Sequence, residues 1–176
     1  MKPSYKAGII TGMAVGIFAI SAFSFFNWLN TANSWGLQPA TIRGISGLLT
    51  ILIQAIGIYF SMTATSKIQN DIITYGQAFK AGLTVAIITA LITAFCGLIY
   101  CTVINTGYSD YMVNEAHKAM AAYGKSPKQI ADDLAGIKWQ FSTVGQVIQA
   151  LVAQTVVGSL VSLVMAIFIK SKKTSS

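Results

Sequence analysis

Acidic side chains are what this chain has least of: five Asp and Glu together in 176 residues, against twelve Lys and Arg. None of them falls in the four longest apolar runs. Carboxylates and imidazoles inside a membrane are the usual proton relays and coupling-ion ligands, so their absence from those runs counts against ion-coupled transport. The one histidine, His117, has no second nitrogen or carboxylate at ligand spacing within the apolar runs, so no metal site is expected. Glu115 stands two residues from it, which on a helix points the pair in divergent directions and makes a poor acid-base couple. The two cysteines, Cys96 and Cys101, are five positions apart. At a rise of ~1.5 Å per residue their Cα atoms exceed the ~7 Å reach of a disulfide, and inert buried thiols are expected. No catalytic constellation and no cofactor motif emerges.

What is abundant is apolar length. The chain is 54% hydrophobic and 10% charged, with a mean hydropathy of +0.63. A spanning helix needs ~20 predominantly apolar residues. The runs from about 7–29, 42–64, 79–104 and 144–169 all reach that length. The fold expected is therefore all-α: one polytopic membrane domain over 1–176 with four transmembrane helices. A signal peptide at the start is disfavoured despite the small residues at Ala19-Ile20-Ser21, because its apolar region would be only ~7 to 15 residues long.

Lysines orient the bundle. Lys2 and Lys6 precede the first span, Lys67 and Lys80 flank the second loop, and Lys170, Lys172 and Lys173 follow the fourth span. Positive flanks mark the cytoplasmic side, so both termini are expected there, with the protein multi-pass in the inner membrane. Trp28, Trp35 and Trp139 fall on the opposite, external boundary, where indole rings concentrate. The net charge of +7 then belongs to a fringe that meets anionic headgroups, and nucleic acid is not an expected partner. Arg43 reads as a headgroup anchor at the external start of the second span.

Small residues mark close helix contacts. Gly8, Gly12 and Gly16 recur every fourth residue, lining one face where another backbone can approach. Gly158, Ser162 and Ala166 repeat the spacing in the fourth span, and the two faces are expected to be partners. Polar candidates in the spans are Gln54, Gln146 and Gln149, with interhelical hydrogen bonds worth roughly 0.6 to 2 kcal/mol each. An aromatic-Lys-Ala-Gly string opens both the first and third spans, as Tyr5-Lys6-Ala7-Gly8 and Phe79-Lys80-Ala81-Gly82.

Residues 108–140 read as an external, periplasmic segment of two short amphipathic helices. Tyr111, Met112, Ala116, Ala119, Met120 and Tyr123 form one apolar stripe, stopped by Gly124. Ser126, Pro127 and Gln129 form a helix start, and Ile130, Leu134 and Ile137 its buried face. Asp132 and Asp133 occupy the wet side.

The string Tyr75-Gly76-Gln77-Ala78-Phe79-Lys80-Ala81-Gly82, with Ile99-Tyr100, Val103-Ile104-Asn105 and the closing Gly158 to Lys170, resembles the domain of unknown function 4199 family of small four-span bacterial membrane proteins. Where that family often has Asn-Pro after the third span, this chain has Asn105-Thr106. The resemblance implies an inner-membrane four-helix protein and brings no activity or catalytic residue with it.

The function expected is a non-enzymatic packing, assembly or accessory role in the lipid bilayer, as a homo-oligomer or with another membrane protein. The alternative is a small transporter or channel subunit working as an oligomer around Gln54 or Gln146. A membrane enzyme ranks third, since one histidine and no intramembrane carboxylate leave no acid-base machinery.

Overall fold

A computed structural model describes residues 1–33 and 39–170, and the side chains of these except 26–33, 39–40 and 42–43. Trp28, Trp35, Arg43, Lys172 and Lys173, on which part of the orientation argument rests, lie outside the described side chains. Among the described residues six α-helices follow in order: α1 Pro3–Asn33, α2 Pro39–Ile68, α3 Tyr75–Ile99, α4 Tyr108–Ala122, α5 Pro127–Phe141 and α6 Thr143–Ile169. Among the described residues, α1, α2, α3 and α6 are long and apolar enough to cross a membrane.

These helices outrun the apolar runs at several ends. Hydrophobicity marks the hydrocarbon slab, whereas the backbone ladder continues until local chemistry stops it. Pro3 and Pro39 begin α1 and α2, where the missing N–H is no loss and the fixed φ suits a first turn. α3 starts before Phe79 because Thr74 and Gln77 form a capping box, with the Thr74 N–H donating to Gln77 Oε1 at 2.9 Å. The α2–α3 connection turns through Asn70 and Asp71 at φ 54° and 61°, a left-handed conformation these short polar residues tolerate. At its far end α3 winds into a π-helical turn, Tyr100–Ile104, closed by the Asn105 N–H on the Tyr100 carbonyl at 2.7 Å.

The two shorter helices are each 15 residues long. α4 ends where Gly124 takes φ 77° and the Lys125 N–H reaches back to the Met120 carbonyl at 3.1 Å, a closure that needs the left-handed residue. α5 opens on a second capping box, Ser126 with Gln129. Ser142 alone joins α5 to α6, its Oγ accepting from the Gly145 N–H at 3.0 Å. A Cβ at Gly145 would collide with the Trp139 carbonyl, so this tight corner requires glycine.

α3 is the hub of the bundle. It packs along α6, α1 and α2, while α2 also meets α1 and α6. α1 and α6 therefore sit on opposite sides of α3 and do not pack face to face. Two apolar clusters hold the ends. At one, Ile58, Met62, Ile73, Ala78, Ala81, Val85 and Ala166 are buried with Ala7, Phe79 and Ile169 against them. At the other, Tyr100, Tyr108, Met112 and Phe141 are buried with Ile20, Phe23 and Ile137. Phe23, Tyr100 and Tyr108 form a ring triad with centroids 5.6 to 6.3 Å apart, which seats the start of α4 on the ends of α1 and α3. Large side chains such as Ile10, Leu52, Leu91, Phe95 and Phe168 stay exposed along the spans, as an apolar solvent allows.

Candidate functional site

Between the two apolar clusters the bundle interior is built from small and polar residues. The α1 glycine face meets α3: a Cβ added at Gly8 would stand 2.9 Å from Ile88 Cβ, at Gly12 2.9 Å from Ile92 Cβ, and at Gly16 2.5 Å from Cys96 Sγ. From Gly8 to Gly16 the bare backbone of α1 thus rests directly on the side chains of Ile88, Ile92 and Cys96 of α3. On the other side of α1, a Cβ at Gly57 of α2 would overlap Thr11.

Gly158 and Ser162 do not face α1, so the pairing of the two small-residue faces expected from their shared spacing is corrected. Gly158 lies against Ala86 and Gln54, and Ser162 against Gly82, where an added Cβ would meet Ser162 Oγ at 2.5 Å. The physical reason is that α3 offers a small-residue flank to α6 and a flank of larger side chains to the glycines of α1. Gly82 and Ala86 receive α6, while the Ile88–Ile92 side fills the α1 notch. Four-residue spacing shows that a face can be approached closely, but carries no information about which helix approaches.

Gln54 is fully buried at this level, and its Nε2 donates to the backbone carbonyl of Gln154 at 3.1 Å. Its Oε1 has no hydrogen-bond partner, nor do Thr89 Oγ1, Thr93 Oγ1 and Gln154 Oε1, all of them buried. In hydrocarbon each such oxygen costs several kcal/mol unless a donor reaches it. Thr93 also borders a cavity of about 120 Å³ between α1, α3 and α6, lined further by Gly16, Phe23, Cys96, Gln146 and Ala150. Sequence reasoning found Gln54 and missed Thr89 and Thr93. The signal available was the four-residue step from Thr89 to Thr93, which keeps the pair on one face.

Gln146 and Gln149 act locally. Both donate Nε2 to the Gln140 carbonyl at 2.7 Å, which satisfies the last turn of α5. The acids around them form surface pairs: Glu115 with Lys118 at 2.8 Å and Asp133 with Lys125 at 2.6 Å. The Glu115 carboxylate accepts a hydrogen bond from Lys118 and raises its pKa above the usual lysine value. No group of three or more His, Cys, Asp or Glu is gathered among the described residues. Cys96 and Cys101 are not joined by a disulfide.

Four long apolar helices around a small-residue, hydroxyl- and amide-bearing interior define a multi-pass helical membrane protein. The chain belongs to the family described as protein of unknown function (DUF4199), whose model matches residues 6–171. No curated protein and no solved structure matches it.

Proposed function

We propose that this is a non-enzymatic inner-membrane protein with a packing, assembly or accessory role, working with a second copy or another membrane protein. In this reading both termini are cytoplasmic and the α4–α5 hairpin is periplasmic. The observation that carries the role is the disposition of α6. Its small residues turn inward onto α3, and it is the least buried of the four spans. Val152, Val156, Leu160, Val164 and Phe168 remain exposed along it. A photo-crosslinking amino acid at Leu160, activated in native membranes, is expected to give a discrete protein adduct, and adducts to lipid alone would overturn the reading. The orientation is supported by the lysine fringe. A cysteine introduced at Ser126 is expected to react with an impermeant maleimide in cells whose inner membrane is intact; labelling only after permeabilisation would reverse it.

The second reading, a small transporter or channel subunit, is favoured by one observation: the unpartnered oxygens of Gln54, Thr89, Thr93 and Gln154. Proteoliposomes should then pass water or glycerol faster than empty vesicles, and Gln54→Leu should abolish the difference. Flux equal to that of empty vesicles removes this reading.

A further inference from the structure

We propose that the cavity where α1, α2 and α3 meet, at the end of the bundle carrying the N-terminus, binds a phosphate-bearing anion. The cavity measures about 390 Å³ and is bordered by Lys2, Ser4, Gln69, Gln77, Lys80 and Thr84 among others, within the ~300–1,000 Å³ range of small-ligand sites. Its two charged lining residues are both cations, and no carboxylate borders it. Asp71, the acid of the adjoining α2–α3 connection, is not part of the lining.

Those cations are uncompensated. Among the described residues the salt bridges are Lys118 with Glu115 and Lys125 with Asp133, both within the α4–α5 hairpin, and neither Lys2 nor Lys80 has one. Two of the neutral lining groups, Gln77 and Ser4, are suited to donate. Gln77 Oε1 is already committed to the Thr74 N–H and hydroxyl at 2.9 and 3.0 Å, which leaves its Nε2 hydrogens to offer. Ser4 adds a buried hydroxyl, whereas the Thr84 hydroxyl already donates to the Lys80 carbonyl at 2.8 Å. α1 and α3 both begin at this cavity, so the positive ends of two helix dipoles reinforce the lysines. Point-charge ammoniums, an amide N–H and a hydroxyl with no competing carboxylate match the oxygens of a phosphate. Of the two aromatic-Lys-Ala-Gly strings, that of α3 places Lys80 at the opening, whereas that of α1 contributes Tyr5 and not Lys6. The phosphate can belong to a lipid headgroup or to a soluble compound, and the chemistry of the site is the same for both.

The test uses the full chain in neutral detergent. Native mass spectrometry titrates dioleoylphosphatidylglycerol against dioleoylphosphatidylcholine, and calorimetry titrates inorganic phosphate against chloride at equal ionic strength. The anion is expected to bind saturably in at least one arm. Saturable phosphatidylglycerol without inorganic phosphate assigns a lipid headgroup, and saturable inorganic phosphate assigns a soluble anion. Lys2→Gln and Lys80→Gln are each expected to weaken binding about fivefold, and together about twenty-five-fold. Lys80→Arg retains the charge and retains binding, which separates loss of the site from loss of the fold. Lys67→Gln changes the charge of the same end outside the lining and should alter affinity less than twofold. Equal losses for Lys67→Gln and Lys80→Gln, or no preference for either phosphate over its control, would overturn the proposal.

Discussion

Adding a single methyl group at Gly12 measures how closely α1 and α3 lie. The new Cβ would stand 2.8 Å from Ile92 Cδ1 and 2.9 Å from Ile92 Cβ, where carbon atoms ordinarily rest ~3.5–4.0 Å apart. Cδ1 can swing away by rotation, but Cβ is fixed to the α3 backbone, so the two helices must part by on the order of 1 Å. The contacts of Gly8 with Ile88 and Gly16 with Cys96 loosen with it. Overpacking of this kind costs ~1–3 kcal/mol, offset by ~0.5–1 kcal/mol for replacing a helical glycine by alanine. Gly12→Ala is therefore expected to destabilise the protein by about 1–2 kcal/mol. Gly47 is the internal control, a glycine in a spanning helix with nothing within 4 Å of an added Cβ. There only the propensity gain remains, and Gly47→Ala should stabilise by ~0.5–1 kcal/mol. Reversible unfolding in mixed dodecylmaltoside and sodium dodecyl sulfate micelles, followed by circular dichroism, gives both values. Shifts of the same sign and similar size would refute the close α1–α3 seam.

Phe23→Ala opens the ring triad and should lower stability by about 2 kcal/mol, less than a fully buried ring because Phe23 is only partly covered; hydrogen exchange of Tyr108 to Met120 should quicken, and unchanged protection would show that the triad does not seat α4. Leu134→Asp places a charge on the inner face of α5 and should loosen the hairpin, whereas Asp133→Asn removes an exposed ion pair and should cost under ~1 kcal/mol; equal exchange rates in the two variants would sink that distinction. Gly145→Ala should destabilise by at least ~3 kcal/mol, because the atom in its way is a backbone carbonyl that cannot rotate aside. Near wild-type thermal stability would show that the α5–α6 corner is not tight.

Much of this architecture was legible because the membrane imposes a strong one-dimensional constraint. Apolar length gave the four spans, and Ser126-Pro127 with Gln129 gave the start of α5 through its capping chemistry. Thr74 and Gln77 carry the same signature, yet they lie ahead of the hydrophobic run, which begins near residue 79 and alone set the expected boundary. The hub was not legible. Helices apolar on every side offer no stripe that names a neighbour, so Gly82 and Ala86 gave no sign that α3, and not α1, receives Gly158. The four unpartnered interior oxygens were half legible: Gln54 stands out in an apolar run, whereas threonines in such runs usually bond their own helix. The π-helical turn at Tyr100–Ile104 has no single-residue marker, and the Asn105 that closes it is recognisable only from the backbone.

The central position of α3 has a bearing on how the chain is made. Translation delivers α1 and α2 first, and they can close on each other at Thr11 and Gly57, but the notch over Gly8, Gly12 and Gly16 then faces no protein. Gln54 is in the same position: the carbonyl that receives it lies 100 residues further along the chain. At ~5–20 residues per second that partner is synthesised roughly 5 to 20 seconds later. Throughout that interval a bare amide sits in the middle of a hairpin otherwise suited to lipid, and the hairpin must be held by the insertion machinery or keep water with it. The first half of this protein is thus an unfinished intermediate by construction, completed from within when its third helix arrives and sealed when its last one does.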